Sequence, residues 1–174
     1  MNLGQATAQG VDYYMRWRQP VDYGRWQVAL GGTWMLKSER DIGTGPVSNL
    51  ARYSSESSTY APRHQLVLSA ALEQKRWTYS AALRYRSGHS ETVDMYDAAG
   101  QTQHVTRKLR GTTTLDLMLQ GKLSPNMDLT AAVLNVTDRY PDFTALSTSA
   151  ILGADAMPAD YYGRRLQLKV QYRF

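Results

Sequence analysis

The chain has no cysteine and only two phenylalanines, against twelve tyrosines and four tryptophans in 174 residues. Without thiols there is no disulfide framework, no thiolate nucleophile and no cysteine-based metal site. No apolar run approaches the ~20 residues that a spanning helix needs, and the mean hydropathy is −0.47. A helical membrane protein is thereby excluded. A β-barrel is not, because its strands are apolar on one side only. The opening residues, Met1 and then NLGQATAQG, have neither the basic nor the apolar region of a secretory leader. If the mature protein works outside the cytoplasm, this chain is expected to be a fragment, a truncated gene product or an engineered piece of a longer one. The formal charge is +5, which for a basic protein raises nucleic acid as a partner. The Lys and Arg residues, however, are scattered through strand-like segments and never form a run of five, so no nucleic-acid role is assigned.

What is present is alternation. Seven segments, roughly 7–18, 24–41, 64–74, 76–92, 105–123, 128–137 and 160–174, place apolar side chains at every second position. One face carries Val11, Tyr13, Met15 and Trp17, then Trp26, Val28, Leu30, Gly32, Trp34 and Leu36. Its later members include Leu66, Leu68, Ala70 and Leu72, then Trp77, Tyr79, Ala81, Leu83 and Tyr85. Leu115, Leu117, Leu119, Leu129, Ala131 and Val133 continue the face, broken only by glycines Gly32 and Gly121. The opposite face is mostly polar, with Asp12, Arg16, Gln27, Arg84, Arg86, Asp116 and Lys122. A period of two predicts β-strand, and a helical period fits none of the seven.

The connections alternate in length. Three are tight (19–24, 73–76 and 124–128) and three are long (42–63, 93–104 and 138–159). An antiparallel up-and-down meander with one plain rim and one elaborate rim has this signature. A soluble β-sheet binding domain would also alternate, with the apolar face as its core. Strands of twelve or more residues exceed the usual soluble length. Aromatics such as Trp17, Trp26 and Trp77 also bracket the tight turns, as at a membrane–water interface. The expected fold is therefore all-β, a meander of about seven long strands forming part of a transmembrane outer-membrane β-barrel.

The chain ends on LQLKVQYRF, a faultless two-sided strand running to its last residue, where most chains fray. Leu166, Leu168, Val170, Tyr172 and Phe174 resemble the C-terminal signal that the barrel-assembly machinery reads in bacterial outer-membrane proteins. The resemblance then narrows. NVTDRY (135–140), a loop of about twenty residues and YYGRRLQLKVQYRF (161–174) look like the closing segment of TonB-dependent receptors. Asn135, Asp138, Tyr140, Gly163 and Arg164 match that pattern, and Val136 stands where Leu is usual. AQGVDYYMRWR, LRYRSGHS and TTTLDLMLQGKLSPNMDL are similar to further strand openings and exits of the family. The family's plug domain, its energy-coupling box and most of its twenty-two strands have no counterpart here. The resemblance thus implies residues 1–174 as the C-terminal portion of a receptor barrel, without plug or N-terminal strands. Such a piece is expected not to close alone.

The resemblance also implies a transporter in the Gram-negative outer membrane, not an enzyme, that takes up a ferric siderophore or a similar scarce nutrient. Its partners would be outer-membrane lipid, the plug and missing strands, the TonB complex acting through the plug, and the assembly machinery. Another outer-membrane barrel, such as a porin or an autotransporter translocator, would share the terminal signal. Loops on a rigid scaffold concentrate binding residues, so Arg52, Tyr53, Tyr60, Arg63, His89, Tyr140, Tyr161 and Tyr162 are the candidate ligand contacts. Arg84, Arg86, Arg165 and Lys169, on the polar face, are the candidate plug-facing residues. His64, His89 and His104 lie near strand ends and suggest no metal set. His89 and Glu91 have no recognisable third partner for catalysis, and neither a cofactor nor a catalytic residue is expected.

Overall fold

The computed structural model of the chain describes residues 4–41, 43–54, 60–143 and 162–174. Its main sheet contains β1 (Gln5–Val21), β2 (Gly24–Asp41), β5 (His64–Glu73) and β6 (Trp77–Arg86), followed by β9 (Thr112–Ser124), β10 (Met127–Leu134) and β11 (Arg165–Tyr172). Each pairs antiparallel with the next, in chain order, and the sheet does not close on itself. A short β3 (Pro46–Ser48) pairs with the end of β2.

Register explains why the sheet has two chemistries. Trp17, Val28, Ala70, Ala81, Leu117, Val133 and Leu166 are successive cross-strand partners, one apolar row across all seven strands. Asp12, Thr33, Gln65, Arg86 and Thr112 form a row of the opposite parity. Within that row the Thr33 hydroxyl donates to Asp12 at 2.6 Å and Arg86 donates to Gln65 at 3.2 Å. Because the side-chain period is two, a one-residue slip would invert both faces. Two strand glycines on the apolar face lie under aromatic partners: Tyr13 covers Gly32, and Trp77 covers Gly121.

Among the described residues neither face is packed against a second layer. Among the described residues only Leu109 and Ala132 are buried apolar side chains, whereas Trp17, Leu117 and Leu168 are 51%, 42% and 74% exposed. A soluble sandwich would bury this face under another sheet.

Two expected strands are broken. The segment 76–92 ends as β6 at Arg86, and 105–123 begins as β9 only at Thr112. Between them β7 (His89–Tyr96) and β8 (Thr102–Leu109) form a hairpin, reaching beyond the long connection expected at 93–104. The reason lies in two facing glycines. A Cβ on Gly88 would lie 2.2 Å from the Leu109 carbonyl oxygen, and one on Gly111 would lie 2.8 Å from that of Arg86. The chains approach too closely there for any side chain, and the ladder is interrupted. The hairpin then gains a third strand, β4 (Arg52–Ser54), which runs parallel to β7. The seven long strands pair antiparallel as expected, and the parallel contacts among the described residues, β4 with β7 and the Leu50–Ala61 bridge, lie in the connections.

Candidate functional site

The three long connections emerge at one end of the main sheet, and their described parts are tied together by polar contacts. The first connection folds back on itself. Ala51 N–H donates to Ala61 at 2.7 Å, and Ala61 N–H donates to Asn49 at 3.0 Å. This hands β4 to β7, pairing Arg52 with Ser90 and Tyr53 with Glu91. Tyr60 lies over His89, ring centroids 4.2 Å apart, while its hydroxyl donates to the Ser87 carbonyl at 3.3 Å. Burial pushes the His89 pKa down, with the Glu91 carboxylate pulling the other way.

Glu91 is fully buried, and the Arg107 Nε stands 2.9 Å from its Oε1. The same guanidinium donates to the Phe143 carbonyl and lies 5.3 Å from that ring's centre. Arg110 then grips Asp142 through its backbone N–H (2.8 Å) and its guanidinium Nη2 (2.9 Å). The Arg110 guanidinium's hydrogen bond holds the Asp142 carboxyl below its usual range. The hairpin is therefore fastened to the start of the third connection. At its tip, Asp97 caps the turn and accepts from the Ala99 and Gln101 backbone N–H groups, both at 2.9 Å. The Gln101 N–H, with the Gln103 side chain next, lowers the Asp97 pKa.

The third connection begins and ends in a knot. Asn135 and Asp138 adopt left-handed φ angles of 51° and 53°, which ends β10 at Leu134 rather than 137. Buried Asn135 donates from Nδ2 to the Arg139 carbonyl at 2.8 Å and accepts from the Arg139 N–H at 3.0 Å. Its own N–H donates to Asp116 at 2.8 Å, and Asp138 accepts from the Arg164 N–H at 2.7 Å. Gly163 sits at φ 61° beneath Tyr140, whose hydroxyl would be 2.5 Å from an added Cβ. The matching residues of NVTDRY and Gly163–Arg164 thus form one clasp across the two ends of the loop.

The structure sorts the expected contacts into separate groups. Arg52, Tyr53, Tyr60 and His89 meet around β4 and β7. Arg63 is exposed, and its carbonyl accepts from the Met35 N–H at 2.9 Å. Tyr140 belongs to the clasp, and exposed Tyr162 lies 5.4 Å from the Arg165 guanidinium. Tyr161 and the loop core at 144–160 lie outside the described residues. On the polar face Arg84 is ion-paired with Asp116. Arg84, Arg86 and Arg165 line one recess of about 640 Å³ with Thr33, Gln65 and Asp116. Lys169 lies elsewhere, near the tight turns, in a recess with Lys122 and Asp128.

Sequence reasoning missed Arg107, Arg110, Asp142 and Phe143. It noticed His89 and Glu91 but found no third partner, because Arg107 reaches Glu91 only once the hairpin is folded. The Asp97-to-Gly100 turn, with Gly100 at φ 77°, was the signal available for that hairpin. His64 stacks on Trp34 at 5.7 Å, and His104 Nδ1 lies 2.7 Å from Asp94 Oδ1. Among the described residues no group of three metal-ligating side chains comes together.

The fold matches solved receptors. A mutant of the ferric enterobactin receptor from Pseudomonas aeruginosa superposes with a TM-score of 0.61 at 18% identity. That match covers 97% of this chain and 22% of the receptor. The ferripyoverdine receptor of the outer membrane of the same organism, bound to ferripyoverdine, gives 0.57 at 19% identity, over 95% of this chain and 19% of its own. The chain thus spans about a fifth of either receptor. No curated protein matches it by sequence. The family model "TonB dependent receptor-like, beta-barrel" matches residues 1–136, well over half of the sequence. The chain accordingly belongs to the TonB-dependent receptor β-barrel family, a family of outer-membrane barrels.

Proposed function

We propose that this chain forms the C-terminal part of the wall of a TonB-dependent receptor that takes up a ferric siderophore or a similarly scarce nutrient. The observation that carries this reading is the apolar face, continuous across seven strands and covered by no second protein layer among the described residues. Hydrocarbon is the solvent that such a face suits, and it demands that the sheet edges be closed by further strands. The polar face then lines the lumen, where Arg84, Arg86, Arg165 and Lys169 meet the plug. The long connections lie outside the cell. There Arg52, Tyr53, Tyr60, Arg63, His89, Tyr140, Tyr161 and Tyr162 contribute part of the ligand surface. Tyrosine rings and guanidinium groups suit a large, polar, anionic chelate, whose approach a positive field assists. The plug and the remaining strands belong to the rest of the receptor, and coupling to TonB runs through the plug. Residues Leu166, Leu168, Val170, Tyr172 and Phe174 present the barrel-assembly signal. The family is one of transporters, so the site binds and releases its cargo without chemical change.

Ferric enterobactin and ferripyoverdine, the ligands named for the similar receptors, are the first probes. Uptake of one radiolabelled chelate by iron-starved cells should vanish when the gene is deleted and return on complementation. Replacing Tyr60 and Arg52 by Ala should weaken it. Unchanged uptake of every ferric chelate tried, with loss of another nutrient's uptake, would remove the siderophore from the reading but leave the transporter.

A further inference from the structure

We propose that His89 is an acid-operated latch for the first long connection: its protonation unseats Tyr60 and β4 from the hairpin and carries Arg52 and Tyr53 away with them. The latch regulates the candidate ligand surface and rests on the reading that this connection contributes to it. The seat is built on one side of the β7–β8 ladder. Register sets His89 opposite Leu109 and Glu91 opposite Arg107, so the four side chains share that side. Parallel pairing places Tyr53 beside Glu91 on the same side, while Arg52, partnered with Ser90, belongs with Lys108 on the other. Tyr60 closes over His89, and its hydroxyl donates to the Ser87 carbonyl at 3.3 Å. The imidazole is left 8% exposed. β4 itself is three residues long, and the Ser90 N–H donates to the Ala51 carbonyl at 3.0 Å where it begins. So short a ladder leans on the Tyr60–His89 contact for its place.

Charging this imidazole is costly. Among the described residues the ionisable groups on its side are Tyr53, Tyr60, Glu91 and Arg107, and Glu91 is the one carboxylate among them. Its charge is already met by the Arg107 guanidinium at 2.9 Å. An imidazolium would thus lose water under the Tyr60 ring and beside buried Leu109 without gaining a carboxylate of its own. Burial accordingly holds the His89 pKa below 6.5, with Glu91 pulling upward as the smaller effect. Unseated, the ring meets water and regains its ordinary value. The latch is therefore shut above pH 6.5 and loosens as the pH falls from there through the lowered seated value. Uptake of one proton between pH 7.5 and 5.5 raises the opening constant by at most about tenfold. The other fastening of the hairpin does not follow. Arg110 holds Asp142, whose carboxyl lies below its usual range and stays charged across that window. Acid frees the first connection and leaves the third in place.

Hydrogen exchange, read by mass spectrometry on the receptor in outer-membrane vesicles, tests this at pH 7.5 and 5.5, each rate being divided by the intrinsic amide rate at that pH. The Ala51 and Ala61 amides, which close the first connection on itself, should open severalfold more readily at pH 5.5. The Arg110 amide, bonded to Asp142, should not. His89→Phe keeps a ring beneath Tyr60 but takes up no proton, and should remove the rise. Tyr60→Ala, a second variant that leaves His89 in place, should open the connection at both pH values with little further rise. A rise that is missing, that persists at full size in either variant, or that appears equally at Arg110 overturns the latch. Binding of ferric enterobactin and ferripyoverdine to the same vesicles at pH 7.5 tests the ligand reading separately. If neither binds while the exchange follows His89, the siderophore reading fails and the latch stands.

Discussion

Glu91 is the most deeply placed charge described in the chain, and its meaning depends on one arginine. A buried carboxylate that loses its cation is left uncompensated, typically at about 3–5 kcal/mol, whereas replacing both partners by apolar groups is often neutral. Arg107→Leu should therefore loosen the β7–β8 hairpin, while Glu91→Leu/Arg107→Leu should leave it close to native. Hydrogen exchange of the hairpin amides measures the difference, and equal protection in the two variants would contradict it. His89 supplies a pH effect at the same place. Its folded pKa lies below the ordinary 6.5, so the unfolded state binds the proton more readily. The stability it contributes is complete above 6.5 and is lost as the pH falls from there through the lowered folded value. Protection of the β7 amides should drop between pH 8 and 5, and His89→Phe should flatten that response. His89 and Glu91 were legible two residues apart on one strand; Arg107, sixteen positions further on, was not.

At the scale of the element, alternation is the determinant. Leu168 and Gln167 are neighbours on β11, yet one faces the apolar side and the other the polar side. An arginine on the lipid face of a barrel strand costs about 2–4 kcal/mol near the bilayer midplane, and a lumen substitution costs little. Leu168→Arg should thus reduce the amount of assembled protein in the outer membrane severalfold, with Gln167→Arg near wild type, both read by quantitative blotting of membrane fractions. Equal yields would argue that hydrocarbon does not meet this face. The faces of all seven strands could be read correctly from the residues because strand parity is local. The strand ends could not. β6 and β9 stop where Gly88 and Gly111 meet, and two glycines 23 positions apart announce nothing until the chains cross.

At the scale of the molecule, the open sheet matters most. β1 and β11 each pair on one side only and present a bare edge. Such edges template association, and hydrocarbon tolerates them even less than water does. Refolded by itself in detergent, the 174-residue chain should associate into species larger than a monomer on size-exclusion chromatography. A monodisperse, protease-resistant monomer in water would contradict both this and the lumen assignment. The apolar face also separates the membrane reading from the sandwich. Alternation alone fits either; strand length and the aromatics at the tight turns favour the membrane, and the lack of a second layer among the described residues agrees.

The amino-acid sequence by itself determined which residues share a face, which face is apolar and where the tight turns fall, because a two-residue period and turn chemistry act over a few positions of chain. It also carried the family's closing pattern, since the Asn135-to-Tyr140 and Gly163–Arg164 elements are short and contiguous. Tertiary structure alone decided the parallel seat of β4 on β7, the Arg107–Glu91 and Arg110–Asp142 grips, and the closing of Tyr60 over His89. Each of these joins residues that meet only after distant strands have paired.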